Sequence, residues 1–491
     1  MRAWLVLVLV CAACEGGAAP LGVDDESAAL QAAGSGSDAT AARRPRDPCA
    51  RGNGGCEQIC KSVSGRAVCE CAPGAYLESD RRSCWQWHDA QRVESYDGGD
   101  ASAPRVATGS QGEAVAVWTQ AAGTVTSTSI WSSRTSGTGW GVASQIDGAD
   151  PRGSLGPQLA AAEGGRAVAL WHRATQTIGF TANLLRAGAW GTPQLLLDTV
   201  PSSAFFGPAL SGSRNGAAVV AWGSTAGRGS QLQATTLSGT TWTQAMLPLG
   251  PATSITTLGN IRAGSGPNGE GAVLWSQRGA DPTSLWLNQF RNGAWGTTLQ
   301  VDLGAAPGFT EASIAILRGP VDLVVWLATD SVWANQRAAA WSGAVRIREV
   351  PFGERPRDVQ VVSDSRGENA FAIWVESGTR ARVWTSGLRN GTWSAAVELS
   401  VLASGNAGWP SIALEPGGSA VAVWAQEGTH FDIWANRYQP GVGWGTAVRI
   451  EDDDAGDASG TSVAVDARGH AFAVWQQWDG TRTNVLSNRA D

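Results

Sequence analysis

The sequence predicts an all-β protein folded as a ring of eight four-stranded sheets, an eight-bladed β-propeller, and three features predict it. Gly supplies 63 and Trp 25 of the 491 residues, while charged residues make up only 16%. That is the composition of many short strands joined by turns. A short apolar run closed by Trp recurs eight times: AVAVW ending at Trp118, AVALW at Trp171, VVAW at Trp222, AVLW at Trp275, LVVW at Trp326, FAIW at Trp374, AVAVW at Trp424 and FAVW at Trp475. Successive members lie 48 to 53 residues apart. Continuous apolar runs of this kind are strands covered on both faces. A period of roughly 50 residues suits propeller blades, whereas solenoid rungs are shorter and tandem sandwiches need about twice the length.

Taken from the start, residues 1–13 form an export signal. Arg2 gives a positive end, Trp4 to Val10 an apolar run too short to span a bilayer, and Ala12 and Ala13 a small-residue cleavage site. Cys11-Ala12-Ala13-Cys14 resembles a bacterial lipobox. The resemblance implies acylation of Cys14, a lipid anchor as the sole membrane attachment, and residence at the outer membrane or cell surface. Ordinary cleavage after Ala13 or Ala19, with secretion, is the alternative. Residues 14–46 hold no aromatic and no β-branched run, too little apolar surface to offset ordering, and read as a flexible tether.

Residues 47–84 carry six of the eight cysteines: Cys49, Cys56, Cys60, Cys69, Cys71 and Cys84. An even, dense set behind an export signal is a disulfide framework, and spacing alone leaves the pairing open. With Asn53-Gly54-Gly55 before Cys56 and Pro73-Gly74 after Cys71, the segment resembles an EGF-like module. That resemblance implies Cys49–Cys60, Cys56–Cys69 and Cys71–Cys84. It points to the type that binds no calcium, because only Asp47 precedes Cys49 and Ser62 stands where an Asp or Asn would be.

Residues 85–491 are the propeller. A second tryptophan series, Trp140, Trp190, Trp242, Trp295, Trp341, Trp393 and Trp444, opens the outer strand of each unit after a hairpin. The eighth unit stops before its outer strand. The segment from Trp87 to Glu94 parallels that from Trp444 to Glu451, so residues 86–94 are expected to complete the last blade and latch the ring.

The hairpin from Ser133 to Trp140 keeps the Ser, Gly137 and Trp140 of the Asp-box, with Thr135 replacing its Asp. The units thus resemble degenerate sialidase-type repeats of bacterial secreted proteins. Sialidases also use a Tyr nucleophile and an Arg triad. Of Tyr76, Tyr96 and Tyr438, only Tyr96 is expected near the mouth, and no catalytic set can be assigned.

Residues that break the repeat are the better candidates for function. Phe205, Phe206, Phe309, Trp409 and Trp478 fall in loops of the usual ligand face. Trp409 precedes Pro410 where other units have Gly156-Pro157 and Gly207-Pro208. His172 and His430 also depart from their repeats. Asp452, Asp453, Asp454 and Asp457 match no ordered ligand loop, so neither metal nor cofactor is assigned. A formal net charge of -7 argues against nucleic acid. The expected protein is a monomeric, non-catalytic binder of an unidentified glycan or protein. A sialidase-like or other glycan-processing enzyme is the alternative.

Overall fold

The computed structural model describes residues 47–491 apart from 79, 97, 110–111, 123–124, 136–138, 149–152, 174–176, 202–204, 227–228, 251–256, 279–282, 303–308, 320, 402–404 and 453–454. The signal, Cys14 and the tether lie outside the described residues, as does most of the tip of the Ser133–Trp140 hairpin.

A strand that is apolar at successive positions has both faces to bury, so it becomes an interior strand. Ala420–Glu427 lies between Ala407–Leu414 and Phe431–Gln439, and the same antiparallel order recurs in eight sheets. In four of them the outer strand position is split. Thr392–Trp393 and Val397–Glu398, for example, both pair with Ala381–Arg389. The eight first strands touch one another in a closed circle, Ala458–Val465 returning against Ala101–Thr108. These strands line the channel.

The core is a set of slabs between sheets. Each repeat Trp is at most 1% exposed and packs on the preceding blade. Trp171 lies on Val117 and Ile130, Trp374 on Leu323 and Val325, and Trp118 on Phe472 and Val474 across the point of closure. A buried indole N–H left without an acceptor costs stability, and that of Trp222 has none among the described residues. Five blades supply one two residues later: Gln120, Gln277, Glu376, Gln426 and Gln477 accept from Trp118, Trp275, Trp374, Trp424 and Trp475 at 2.8–3.1 Å. Gln277 also bonds both backbone groups of Gly250, at 3.0 and 3.1 Å, so it holds the connector arriving from the previous blade.

The outer hairpins have their own lock. A third-strand side chain donates to a carbonyl just beyond the turn: Ser133 to Gly141, Asn183 to Gly191, Asn288 to Gly296 and Ser386 to Ser394. Asn390-Gly391 makes its tight turn with both residues at positive φ (49° and 75°).

Closure follows the expected scheme. Gln91–Arg92 pairs with Thr483–Ala490, Trp87 bridges Ala490, and the last sheet is thereby assembled from both ends of the folded region. The Val93 N–H donates to Val485 O at 2.9 Å, and the Val485 N–H donates to buried Glu94 at 2.7 Å. Burial raises the pKa of Glu94, opposed by its hydrogen bond from Arg92.

The six-cysteine module has two short hairpins, Ile59–Val63 with Arg66–Glu70 and Tyr76–Leu77 with Cys84–Trp85. Its disulfides join Cys49 to Cys60, Cys56 to Cys69 and Cys71 to Cys84. The module docks on the last two blades. Tyr76 donates to Thr446 O at 2.6 Å and Trp85 to Gly469 O at 2.9 Å. Buried Arg437 pairs with Glu78 and with Glu415 and stacks over the Trp85 ring at 4.4 Å. Burial pushes the Tyr76 hydroxyl up to about 12.

A chain starting at residue 95 should melt well below one starting at residue 85, in a broader transition followed by circular dichroism. The first loses the latch, whereas the second loses only the docked module; equal melting curves would refute closure by this strand. Gln277→Ala should lower unfolding free energy in urea by about 2 kcal/mol, since it orphans the Trp275 N–H and both backbone groups of Gly250.

Candidate functional site

The alternation of strand direction places the connectors between blades and the turns between second and third strands on one face. The first strands begin there, and seven of the eight start with a bulge of two unpaired residues. The first bulge residue is left-handed every time: Ala103, Gly156, Gly207, Asn260, Asp358, Trp409 and Gly460, with φ between 46° and 101°. Bulges of this kind bend a strand and re-aim its side chains. The strand of the fifth blade, Glu311–Leu317, pairs without interruption and puts Glu311 at that level.

Trp409 is 49% exposed, with its ring edge-on to Phe431 at 5.5 Å. In the next blade Trp478 is 41% exposed and lies against Gly456, where an added Cβ would sit 2.6 Å from its ring. The other aromatic candidates belong to the slabs between blades. Phe205 packs on Phe180 at 5.8 Å and edge-on to His172 at 6.2 Å; Phe206 and Phe309 are half-buried against two further slabs. His430 occupies the turn leading into Phe431–Gln439, 3.7 Å from Asp457. The seven candidates thus share a face, but only the two tryptophans offer a broad exposed ring. Tyr96 does not approach the channel, because it stacks on Trp131 of a third strand at 5.3 Å.

Just below the bulges, one residue of each first strand stands opposite the residue that precedes the buried Trp. These are Arg105, Gln158, Ala209, Arg262, Ser313, Gln360, Ser411 and Ser462. Where the side chain is Ser or Gln it accepts a backbone N–H from the next blade. Ser462 accepts from Val106, Ser411 from Val463, Ser313 from Val361, Gln158 from Leu210 and Gln360 from Ile412, at 2.8–3.2 Å. This belt seams neighbouring blades around the channel.

Charge concentrates on one arc of the mouth. Arg262 reaches Glu311 at 3.5 Å, and the other oxygen of Glu311 accepts the N–H groups of Asp358 and Val359 at 2.7 and 3.4 Å. Arg357 pairs with Asp358. Of the acidic turn, Asp452 accepts the Ala90 N–H and Asp457 the Phe431 N–H, while Asp453 and Asp454 lie outside the described residues. No group of three or more His, Cys, Asp or Glu side chains among the described residues is placed to hold a metal ion. A separate groove of about 940 Å³ on the opposite, hairpin face is lined by module and propeller together, including Glu78, Arg81, Arg437 and Val442.

Residues 49–84 match the family model described as Coagulation Factor Xa inhibitory site. No curated protein matches the chain in sequence. Several solved structures are similar. A protein of unknown function from Dyadobacter fermentans is 12% identical with a TM-score of 0.41, covering 86% of this chain and 100% of that one. AofleA from Arthrobotrys oligospora is 15% identical with a TM-score of 0.37, covering 66% and 92%. The Hadza microbial sialidase Hz136 is 11% identical with a TM-score of 0.34, covering 64% and 73%.

Burial lowers the pKa of His172, so the folded chain favours the neutral ring. The unfolded chain then takes up more protons as pH falls through its ordinary value of about 6.5, and stability present above that pH is lost below it. The drop in melting temperature between about pH 7.5 and about pH 5 should therefore be smaller in His172→Asn. An unchanged drop would show that the ring protonates as easily folded as unfolded.

Proposed function

We propose that the chain is an exported, surface-exposed binding protein whose channel mouth recognises a glycan or a protein partner without acting on it. Trp409 carries this reading. Equivalent bulge positions hold Gly156, Gly207 and Gly460, for which a left-handed backbone is free of strain, and Ala103, Asn260 and Asp358, all much smaller than Trp. A Trp there costs roughly 1–2 kcal/mol relative to an ordinary conformation, and its ring remains half exposed. The left-handed backbone belongs to the bulge, but nothing in the bulge calls for an indole there, and a large apolar ring left exposed is a mark of a ligand-facing residue. An exposed indole can stack on a sugar face or anchor a protein loop.

The arc of Arg262, Glu311, Arg357 and Asp358 is what favours a second reading, a glycan-processing enzyme. Both oxygens of Glu311 are already engaged by Arg262 and by backbone N–H groups, which makes it a brace between blades rather than a free acid or base. Binding is therefore the preferred function.

Attachment through a lipid on Cys14, at the outer membrane or cell surface, accords with this role, and so does plain secretion. We read the six-cysteine module as EGF-like of the type without calcium, on its first-to-third, second-to-fourth and fifth-to-sixth bonds. The protein would act as a monomer and need no cofactor.

A glycan array probed with the full chain should give hits that weaken at least about tenfold in Trp409→Gly, a factor worth about 1.4 kcal/mol of binding. Because Gly suits this backbone, unfolding free energy should stay within about 1 kcal/mol of the parent. Hits indifferent to the substitution would remove Trp409 from the site, and cleavage of a bound glycan would establish the enzyme instead.

A further inference from the structure

The repeat supplies its own control at the crevices between neighbouring blades on the mouth face. In three of them the residue just before a first strand is Asp100, Asn406 or Asp457. Its side-chain oxygen accepts the N–H that opens the third strand of the preceding blade, from Thr483, Ala381 and Phe431 at 2.8, 3.0 and 2.9 Å respectively. Its carbonyl accepts an N–H near the end of its own blade's second strand, from Ala121, Glu427 and Trp478 at 2.8, 2.8 and 3.2 Å. Asn406 shows that a neutral amide serves this position, so the fold does not call for the charge of Asp457.

The surroundings of Asp457, between the seventh and eighth blades, set it apart. Trp409, Phe431 and Trp478 stand there, the first and last with exposed rings. The matching residues are Gly460, Thr483 and Ala121 beside Asp100, and Asp358, Ala381 and Glu427 beside Asn406. Phe431 joins the set together, since its ring meets Trp409 edge-on at 5.5 Å and its N–H is the one that Asp457 holds. The turn into the third strand differs as well. His430 takes the place of Arg482 and Arg380, and its Nδ1 lies 3.7 Å from Asp457, beyond hydrogen-bond reach. No Arg or Lys among the described residues pairs with Asp457, whose side chain is 68% exposed.

Three large rings, an acid the fold does not need and the loss of a guanidinium thus coincide in one crevice. An ammonium group is attracted to an indole face and makes charge-assisted hydrogen bonds to a carboxylate. A saccharide that carries one also has an apolar face to lay on an exposed indole. A protein partner would instead bury about 800 Å² on each side around a dry apolar centre, whereas the contacts that join Trp409 to Trp478 run through an exposed carboxylate. We infer that the crevice between the seventh and eighth blades binds an amino saccharide with a free, protonated amine, Trp409 stacking on the sugar and Asp457 taking the ammonium. This rests on the binding reading above and deepens it.

The test uses the full chain and matched pairs of glucosamine oligosaccharides, one member with free amines and the other N-acetylated. The parent should bind the free amine about fivefold above its acetylated partner, a modest factor because the carboxylate is exposed, and rising salt should erode the difference. Asp457→Asn, which copies Asn406, should bring the ratio to about twofold or less by removing that exposed pair, with an unchanged melting temperature. His430→Arg should act likewise by restoring the guanidinium of the other crevices. Asp100→Asn removes a carboxylate that has no aromatic neighbour in its crevice and should leave the ratio as in the parent. Equal binding of the two members, a preference that survives Asp457→Asn, or one lost equally in Asp100→Asn overturns the inference. Tighter binding of oligolysine, equally sensitive to Asp457→Asn, also overturns it and assigns the crevice to a basic protein segment. If neutral hits still vanish in Trp409→Gly, the binding reading stands without the inference. An array with no hits overturns both.

Discussion

Each blade presents two apolar faces, and only a closed circle of sheets covers them all. The constraint shows in the placement of the repeat tryptophans, each pressed against the sheet before it, including Trp118 against Phe472 and Val474 where the chain returns on itself. A ring open at any one boundary would leave two such faces in water. The shared last sheet meets this requirement by hydrogen bonding rather than by packing alone, and buried Glu94 extends the ladder to the Val485 N–H. Polar detail then follows from the packing. Five of the eight buried indole N–H groups are answered from two residues on, that of Trp222 has no partner among the described residues, and one answering residue, Gln277, also fixes the connector at Gly250. The mouth inherits its rigidity from the core.

The bulges explain why variation collects on that face. A residue lifted out of the inner ladder and turned left-handed no longer contributes to blade pairing, so its side chain can change without disturbing the slabs. The series Ala103, Gly156, Gly207, Asn260, Asp358, Trp409 and Gly460 spans no side chain to the largest one at a single structural position. The fifth blade is the exception, and it uses its straight strand to brace Arg262 and the start of the sixth blade through Glu311.

The architecture was legible because it is repetitive. Eight Trp-terminated runs at a near-constant interval carry the blade count, and the likeness of Trp87–Glu94 to Trp444–Glu451 carries the closure. Loop position was enough to put the seven candidate residues on one face, but it says nothing of burial. Phe205 is drawn into a slab by Phe180, a neighbour in another strand, and Tyr96 is held by Trp131 in the same way. The inner bulges are hidden because Gly-Pro reads as a turn whether or not a strand resumes beyond it. The belt position of Arg105 is invisible until the registers of all eight blades are aligned. Docking of the module is equally silent: Tyr76 meets Thr446 across 370 residues of sequence, with no local pattern to announce it. The Trp-x-Gln spacing, by contrast, stands in plain view and gains its meaning only when the indole N–H is seen to be buried.

The shared sheet also dictates when folding can finish. A ribosome delivers Gln91–Arg92 early and Thr483–Ala490 late, and the partners Glu94 and Val485 are 391 residues apart. Chain entropy is a minor obstacle, since each doubling of a loop adds only about 0.6 kcal/mol. Time is the greater one. Throughout synthesis the nascent arc carries an unfilled strand position at one end and an uncovered apolar face at the other, the exposure that invites aggregation or exchange between molecules. Whatever escorts this chain must guard an incomplete wheel until the eight residues of Thr483–Ala490 arrive.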